Sequence, residues 1–218
     1  MQHIIDRVAN IKSKLEPYGA TLVAVSKFRS LPEIQALVTA GQQDLGENRV
    51  QEMAEKQEHF AQYPLRWHQI GTLQRNKVKY IAPFVHLVQA VDNWELLAEL
   101  QKQAAKHNRI IPFLFQLHIA KEETKFGFAF NELLPLLSSQ GLAAYPHLEL
   151  KGLMGMATNT ADAVVVRKEF AGLKKHYDEL ASAGMPMQIL SMGMSQDWQL
   201  ALEEGSTMVR IGSALFLE

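Results

Sequence analysis

Residues 22–28 read LVAVSKF, an apolar and partly β-branched run closed by a lysine. An ammonium in that place faces either solvent or a cavity, and the rest of the chain decides between them. Seven further runs of the same kind follow TLVAVS (21–26): QQDLGE (42–47), RWHQIG (66–71), VHLVQAV (85–91), IIPFLFQLHIA (110–120), LELKGLMGM (148–156), MQILSMG (187–193) and TMVRIG (207–212). Between them lie longer stretches with apolar residues three and four apart, such as Trp94, Leu97, Leu100 and Ala104, or Phe170, Leu173, Tyr177 and Leu180. That spacing marks amphipathic helices. A further helix precedes the first strand, over about 3–15.

The punctuation between runs supports the alternation. Ser30-Leu31-Pro32-Glu33 and Asp92-Asn93-Trp94-Glu95 both have capping-box spacing and both follow a strand. Gly41, Gly141, Gly184 and Gly205 each close a helical pattern, where a residue free to take positive φ ends the last turn. Eight strand–helix units in 218 residues, with no Pro-rich linker or sequence repeat, predict one (β/α)8 barrel domain of TIM type over 1–218, with an extra N-terminal helix. The alternative, an open doubly wound sheet, lacks its G-x-G-x-x-G after the first strand.

Composition narrows the function classes. Lys and Arg number 22 against 23 Asp and Glu, so a net charge of −1 offers no general attraction to nucleic acid or anionic lipid. The absence of cysteine removes disulfides and thiolate chemistry together. The opening MQHIIDRVANIKSKLEP is neither a secretory h-region nor a membrane span, which predicts a cytoplasmic protein.

In a barrel of this kind, strand C-termini form the working face, so Lys27 stands at the mouth. SMGMS (191–195) and RIGS (210–213) end the seventh and eighth strands, where glycine lets backbone N–H groups approach a phosphate. Ser195 is placed to cap the helix QDWQLALEE, and Arg210 shares a strand face with Met208 and Gly212. An amine and a phosphate cradle at one mouth suit a phosphorylated carbonyl compound held as a Schiff base: pyridoxal phosphate or a sugar phosphate. Against this stand blander roles. Lysines after strands usually snorkel, Ser-Gly clusters are usually turns, and a buried arginine usually pairs with an acid. Asn48 could cap a helix, and Met154, Met156, Met192 and Met194 could be core filler. The histidines show no metal-ligand spacing; only His68, ending the third strand beside Trp67, stands out, and a satisfied core histidine explains it best. The run Arg75, Lys77, Lys79 reads as a solvated helix face.

Taken in order, AVSKF, GENRVQE, WHQIGTLQRNK, KFGF, KGLMGMAT and LSMGMSQDWQLALEEGSTMVRIGSALF closely resemble the pyridoxal phosphate homeostasis protein family over nearly the whole chain. Thr72 stands where many members carry proline. The resemblance implies a fold-type III, PLP-binding barrel similar to the N-terminal domain of alanine racemase, without that enzyme's second, β-rich domain. It implies that Lys27 forms a Schiff base with PLP, that Ser195, Gly212 and Ser213 hold the phosphate, and that Arg210 faces the pyridine nitrogen with Ser191 supporting it. Met156 and Asn48 then lie beside the ring and near the lysine. No metal is implied. The role expected is a monomeric carrier that holds, buffers or delivers PLP, with PLP-dependent apo-enzymes as partners and no substantial turnover. The alternatives are a small racemase-like enzyme and a Schiff-base aldolase. Arg210 disfavours transamination and decarboxylation, because a cation at the ring nitrogen keeps it unprotonated and weakens the ring as an electron sink. Racemisation needs a second base opposite Lys27, and neither Tyr63 nor Tyr80 is placed for it.

Overall fold

Every apolar run becomes a strand: β1 Thr21–Val25, β2 Asp44–Glu47, β3 Arg66–Gln69, β4 Leu87–Val91, β5 Ile111–Leu117, β6 Leu148–Gly155, β7 Ile189–Ser191 and β8 Met208–Ile211. The structure is a computed structural model that describes residues 1–122, 126–133 and 141–216. Each strand pairs in parallel with the next, and β8 returns to β1 with Val23 opposite Arg210, closing the barrel in sequence order. The helices are α1 Gln2–Leu15, α2 Leu31–Thr39, α3 Val50–His59, α4 Val78–Ile81, α5 Trp94–Lys106, α6 Phe130–Leu133, α7 Ala163–Ser182, α8 Trp198–Glu203 and α9 Ser213–Phe216. This is the expected TIM-type barrel, with the extra helix α1 packed against α2 and α9. Ile4, Val8, Ile11 and Leu15 line its buried stripe at helical spacing. The family motif KFGF begins at Lys125, which lies outside the described residues.

Alternation along each strand sorts side chains into two populations. One set packs between sheet and helices, including Leu22, Ala24, Leu45, Trp67, Phe113 and Phe115. A smaller apolar cluster fills the lumen: Val23, Leu87, Ala90, Leu114, Met154 and Met208. Burying such side chains contributes about 1.5–3 kcal/mol each. The lumen is not wholly apolar, for Asp44, His68, Gln89, Ser191 and Arg210 are buried there as well. Gly152 is required where β6 meets β7: its φ is 151°, and a Cβ would sit 1.8 Å from the Ile189 carbonyl oxygen. Among the described residues no helix is long and apolar enough to cross a membrane.

Two local expectations change. The Ser30–Glu33 capping box forms as read, but α5 is capped by Asn93, whose side chain accepts from Leu96 N–H, while Asp92 accepts from the Asn93 amide. Asn93 holds the extended backbone that an N-cap needs, one residue later than the spacing suggested. Gly41, Gly184 and Gly205 have positive φ, but Gly141 has φ −66° and opens a 3-10 turn instead. The helix that follows β8 is the short α9, whose Ala214 N–H serves as a donor at the mouth.

Candidate cofactor site

The site begins where β1 ends. Phe28 takes φ 61°, a left-handed conformation that costs a non-glycine residue roughly 1–2 kcal/mol, so the turn carrying Lys27 must be held from outside. It is. Lys56 of α3 donates to the Ser26 carbonyl at 2.8 Å, the Phe28 N–H donates to Glu52 at 3.1 Å, and the Arg29 N–H donates to the Ser26 carbonyl at 3.1 Å. Beneath them Lys56 Nζ lies 2.6 Å from Glu47 Oε1, which also accepts from the Ser26 hydroxyl at 2.6 Å. Burial pushes the Glu47 carboxyl above its usual range, and the bonds from Lys56 and Ser26 reverse this only in part. Lys27 itself is partly buried, and no group among the described residues pairs with its amine.

That amine opens into a cavity of about 980 Å³ at the C-terminal mouth of the barrel. Asn48, Met156, Ser195, Arg210, Gly212 and Ser213 line the same cavity. Met194 lines it too, whereas Met154 and Met192 are buried core side chains, so the methionine stretches split between site and packing. Asn48 does not cap α3, whose N-cap is Arg49; it packs against Gly71, where a Cβ would stand 2.9 Å from Asn48 Cγ. Ser191 is fully buried below the cavity and reaches it through Arg210. The structure therefore brings the sequence-selected residues together. His68 stays out of the cavity, and Arg75 and Lys79 lie on a solvated surface with Lys77 half-buried beside them.

Ser195 is where the local reading fails. It does not cap α8, whose N-cap is Asp197; the Asp197 carboxylate instead accepts from the Met194 N–H at 2.6 Å. Ser195 Oγ accepts from the Gly212 N–H at 3.1 Å and the Ala214 N–H at 3.4 Å, joining the β7 loop to the β8 loop. Tight packing makes this possible. Gly193, at φ 95°, lets α8 approach to where a Cβ would lie 2.6 Å from Ala201 Cβ. Two backbone N–H groups thus converge beside two serine hydroxyls, an arrangement suited to an anion's oxygens.

Arg210 closes the floor of the cavity. Its guanidinium donates to Ser191 Oγ at 2.6 Å and to the Gly155 carbonyl at 3.0 Å rather than entering the acid pair that buried arginines usually form. Burial lowers its pKa to about 10 against the favourable field of Asp197, so it remains a cation at neutral pH. Sequence reasoning passed over Glu47, Glu52 and Lys56, although the Glu52–Lys56 spacing of four on one helix was the available signal.

A family model described as alanine racemase, N-terminal domain, matches residues 1–218. The pyridoxal phosphate homeostasis protein of Pasteurella multocida is 36% identical over 220 residues, covering 99% of this chain and 91% of that protein. The PLP-bound structure of PipY from Synechococcus elongatus PCC7942 superposes with a TM-score of 0.89 at 33% identity, covering 98% of this chain and 99% of that one. Alanine racemase from Bartonella henselae, at 15% identity and a TM-score of 0.75 over 99% of this chain and 58% of its own, shares the fold. With a full-length family match and a relative of such identity and coverage, the chain belongs to the alanine racemase N-terminal domain family and, within it, to the pyridoxal phosphate homeostasis proteins.

Proposed function

We propose that this protein binds pyridoxal 5'-phosphate through Lys27 and serves PLP homeostasis in the cytoplasm, holding and delivering the cofactor rather than turning over a substrate. The observation that carries this reading is the single cavity into which the Lys27 amine, unpaired among the described residues, the Arg210 guanidinium and the Ser195–Gly212–Ser213 donors all open. The donor set fits the group. Hydroxyls and backbone N–H groups suit a phosphate, a cation suits an unprotonated ring nitrogen, and the amine suits an aldehyde. Gly212 suits close approach, since a Cβ there would crowd Val25 at 3.3 Å. When bound, PLP supplies an aldehyde carbon that condenses reversibly with a primary amine.

The chain's own residues favour carriage over catalysis. Arg210 repels a proton from any ring nitrogen set against it, which weakens carbanion chemistry. The described residues lining the cavity include no tyrosine or histidine to act as a second base opposite Lys27, and the Asp197 carboxylate among them is engaged by the Met194 N–H. In this reading residues 1–218 act as one cofactor-binding barrel, monomeric, that exchanges PLP with PLP-dependent apo-enzymes. Borohydride reduction after incubation with PLP should fix the cofactor on the Lys27 peptide, and Lys27→Ala should fold yet lose that adduct and its absorption band. Incubation with L-alanine in deuterated water tests the second half. Rapid α-deuteration with inversion at enzyme-like turnover would overturn the carrier reading, whereas activation of an apo-enzyme faster than by free PLP would support direct delivery.

A further inference from the structure

Behind Arg210 a line of polar side chains crosses the lumen. Ser191 Oγ on β7 receives its bond from Arg210 on β8 and donates to Gln89 Oε1 on β4, across the barrel, at 2.7 Å. Gln89 Nε2 lies 3.0 Å from His68 Nδ1 on β3 and 3.2 Å from the Met208 sulfur. His68 Nε2 lies 3.0 Å from Asp44 Oδ1 on β2. At the other end Arg66 grips both Asp44 oxygens, at 2.8 and 2.5 Å, and its side chain is 45% exposed on the floor of the barrel. Asp44, His68, Gln89, Ser191 and Arg210 are all buried.

Donor chemistry gives this line one direction. Arg210 can only donate, so the Ser191 proton is free to point at Gln89 Oε1. The Gln89 amide nitrogen then faces His68 Nδ1 and the Met208 sulfur, both acceptors. His68 must therefore carry its proton on Nε2 and donate to the Asp44 carboxylate. Every link runs from the cation at the mouth toward the anion at the floor, and such a chain polarises each of its bonds in the same sense. Asp44, His68 and His86 also lie within metal-ligand reach of one another. The Arg66 fork on Asp44 and the two occupied ring nitrogens of His68 make that group a saturated hydrogen-bond array rather than an open coordination site.

We propose that Gln89, His68 and Asp44 are positioning residues for Arg210: the relay fixes the orientation of the guanidinium in the cavity and couples it to the floor of the barrel, where Arg66 and His86 meet solvent. The arm below that uses bound cofactor rests on the PLP-binding reading; the first arm does not.

In the first arm the full-length chain, labelled with ¹⁵N-histidine and without added PLP, is examined by long-range ¹H–¹⁵N spectra at neutral pH, with His68 identified by its absence in His68→Gln. The expected result is an Nε2–H tautomer with an unprotonated Nδ1. Gln89→Glu, which replaces the amide donor by an acceptor, should transfer a proton to Nδ1, and Ser191→Ala should disturb the His68 signals although it does not touch the ring. A wild-type Nδ1–H tautomer, or His68 signals unmoved in both variants, overturns the proposal. In the second arm PLP is titrated into wild type, Gln89→Glu and Gln89→Leu, with folding checked by circular dichroism. Relay variants should move the cofactor's absorption maximum and weaken affinity by about threefold to tenfold, as expected for coupled neighbours. An unchanged band and affinity in a folded Gln89→Glu chain overturns it. If wild type binds no PLP while the first arm succeeds, the cofactor reading fails and the relay stands.

Discussion

Replacing Ser195 by alanine separates phosphate recognition from recognition of the ring. In the structure Ser195 Oγ accepts from the Gly212 and Ala214 N–H groups at 3.1 and 3.4 Å, and its own proton is left to point into the cavity. A hydroxyl donating to a phosphate oxygen makes a charge-assisted bond of about 1.5–3 kcal/mol. The alanine variant frees the two N–H groups to turn toward the anion, which offsets part of that loss and puts the expectation near 1.4–2 kcal/mol. At 1.4 kcal/mol per decade, PLP affinity should fall about tenfold to thirtyfold. Pyridoxal, which lacks the phosphate, should change by no more than about twofold, the range of a substitution away from the contact. Folding stability should drop by no more than about 1 kcal/mol, because water reaches the freed donors in the partly buried loop. The assay is a paired absorbance titration of wild type and Ser195→Ala with PLP and with pyridoxal, beside a denaturant melt. Equal weakening for both ligands would refute the reasoning and make Ser195 a strut between the β7 and β8 loops.

The clamp beneath Lys27 and the acid at the barrel floor make two further tests. Lys56→Met leaves Glu47 buried without its cation and should destabilise the fold by about 3–5 kcal/mol in a denaturant melt, whereas adding Glu47→Leu should recover most of that; a double variant as unstable as the single would rule out the ion pair as the cause. Burial raises the Asp44 carboxyl, but hydrogen bonds from His68 and Arg66, together with the Arg66 charge, outweigh it and hold the carboxyl below its usual range. A depressed carboxylate contributes stability that is present above its unfolded value of about 3.9 and is lost as pH falls through the lower folded value. Wild type should therefore exceed Asp44→Asn in stability at pH 7 and lose that margin progressively as pH falls below about 3.9; a margin independent of pH would contradict the assignment.

The sequence alone determined the barrel because its signals are local. Each apolar run, the Ser30–Glu33 box and the helical stripe of α1 rest on interactions within a few residues, and closure of eight strand–helix units then places strand ends at one mouth. Lys27, Arg210 and Gly212 were legible for the same reason, since a residue's place at the end of a strand fixes its side of the barrel. The tertiary structure decided what those positions touch. Ser195 read as a helix cap from its neighbours in sequence, yet its partners lie at Gly212 and Ala214, brought near by the pairing of β7 with β8. Lys56 sits among polar residues of an amphipathic helix and reads as solvated, but it is 6% exposed because the end of β2 presents a buried Glu47 to it. The line from Arg210 to Asp44 draws on β8, β7, β4, β3 and β2, and its Ser191–Gln89 step crosses the lumen between strands far apart in sequence. A polar residue in a strand carries no local sign of which distant donor or acceptor satisfies it; register and barrel closure alone bring that partner within reach.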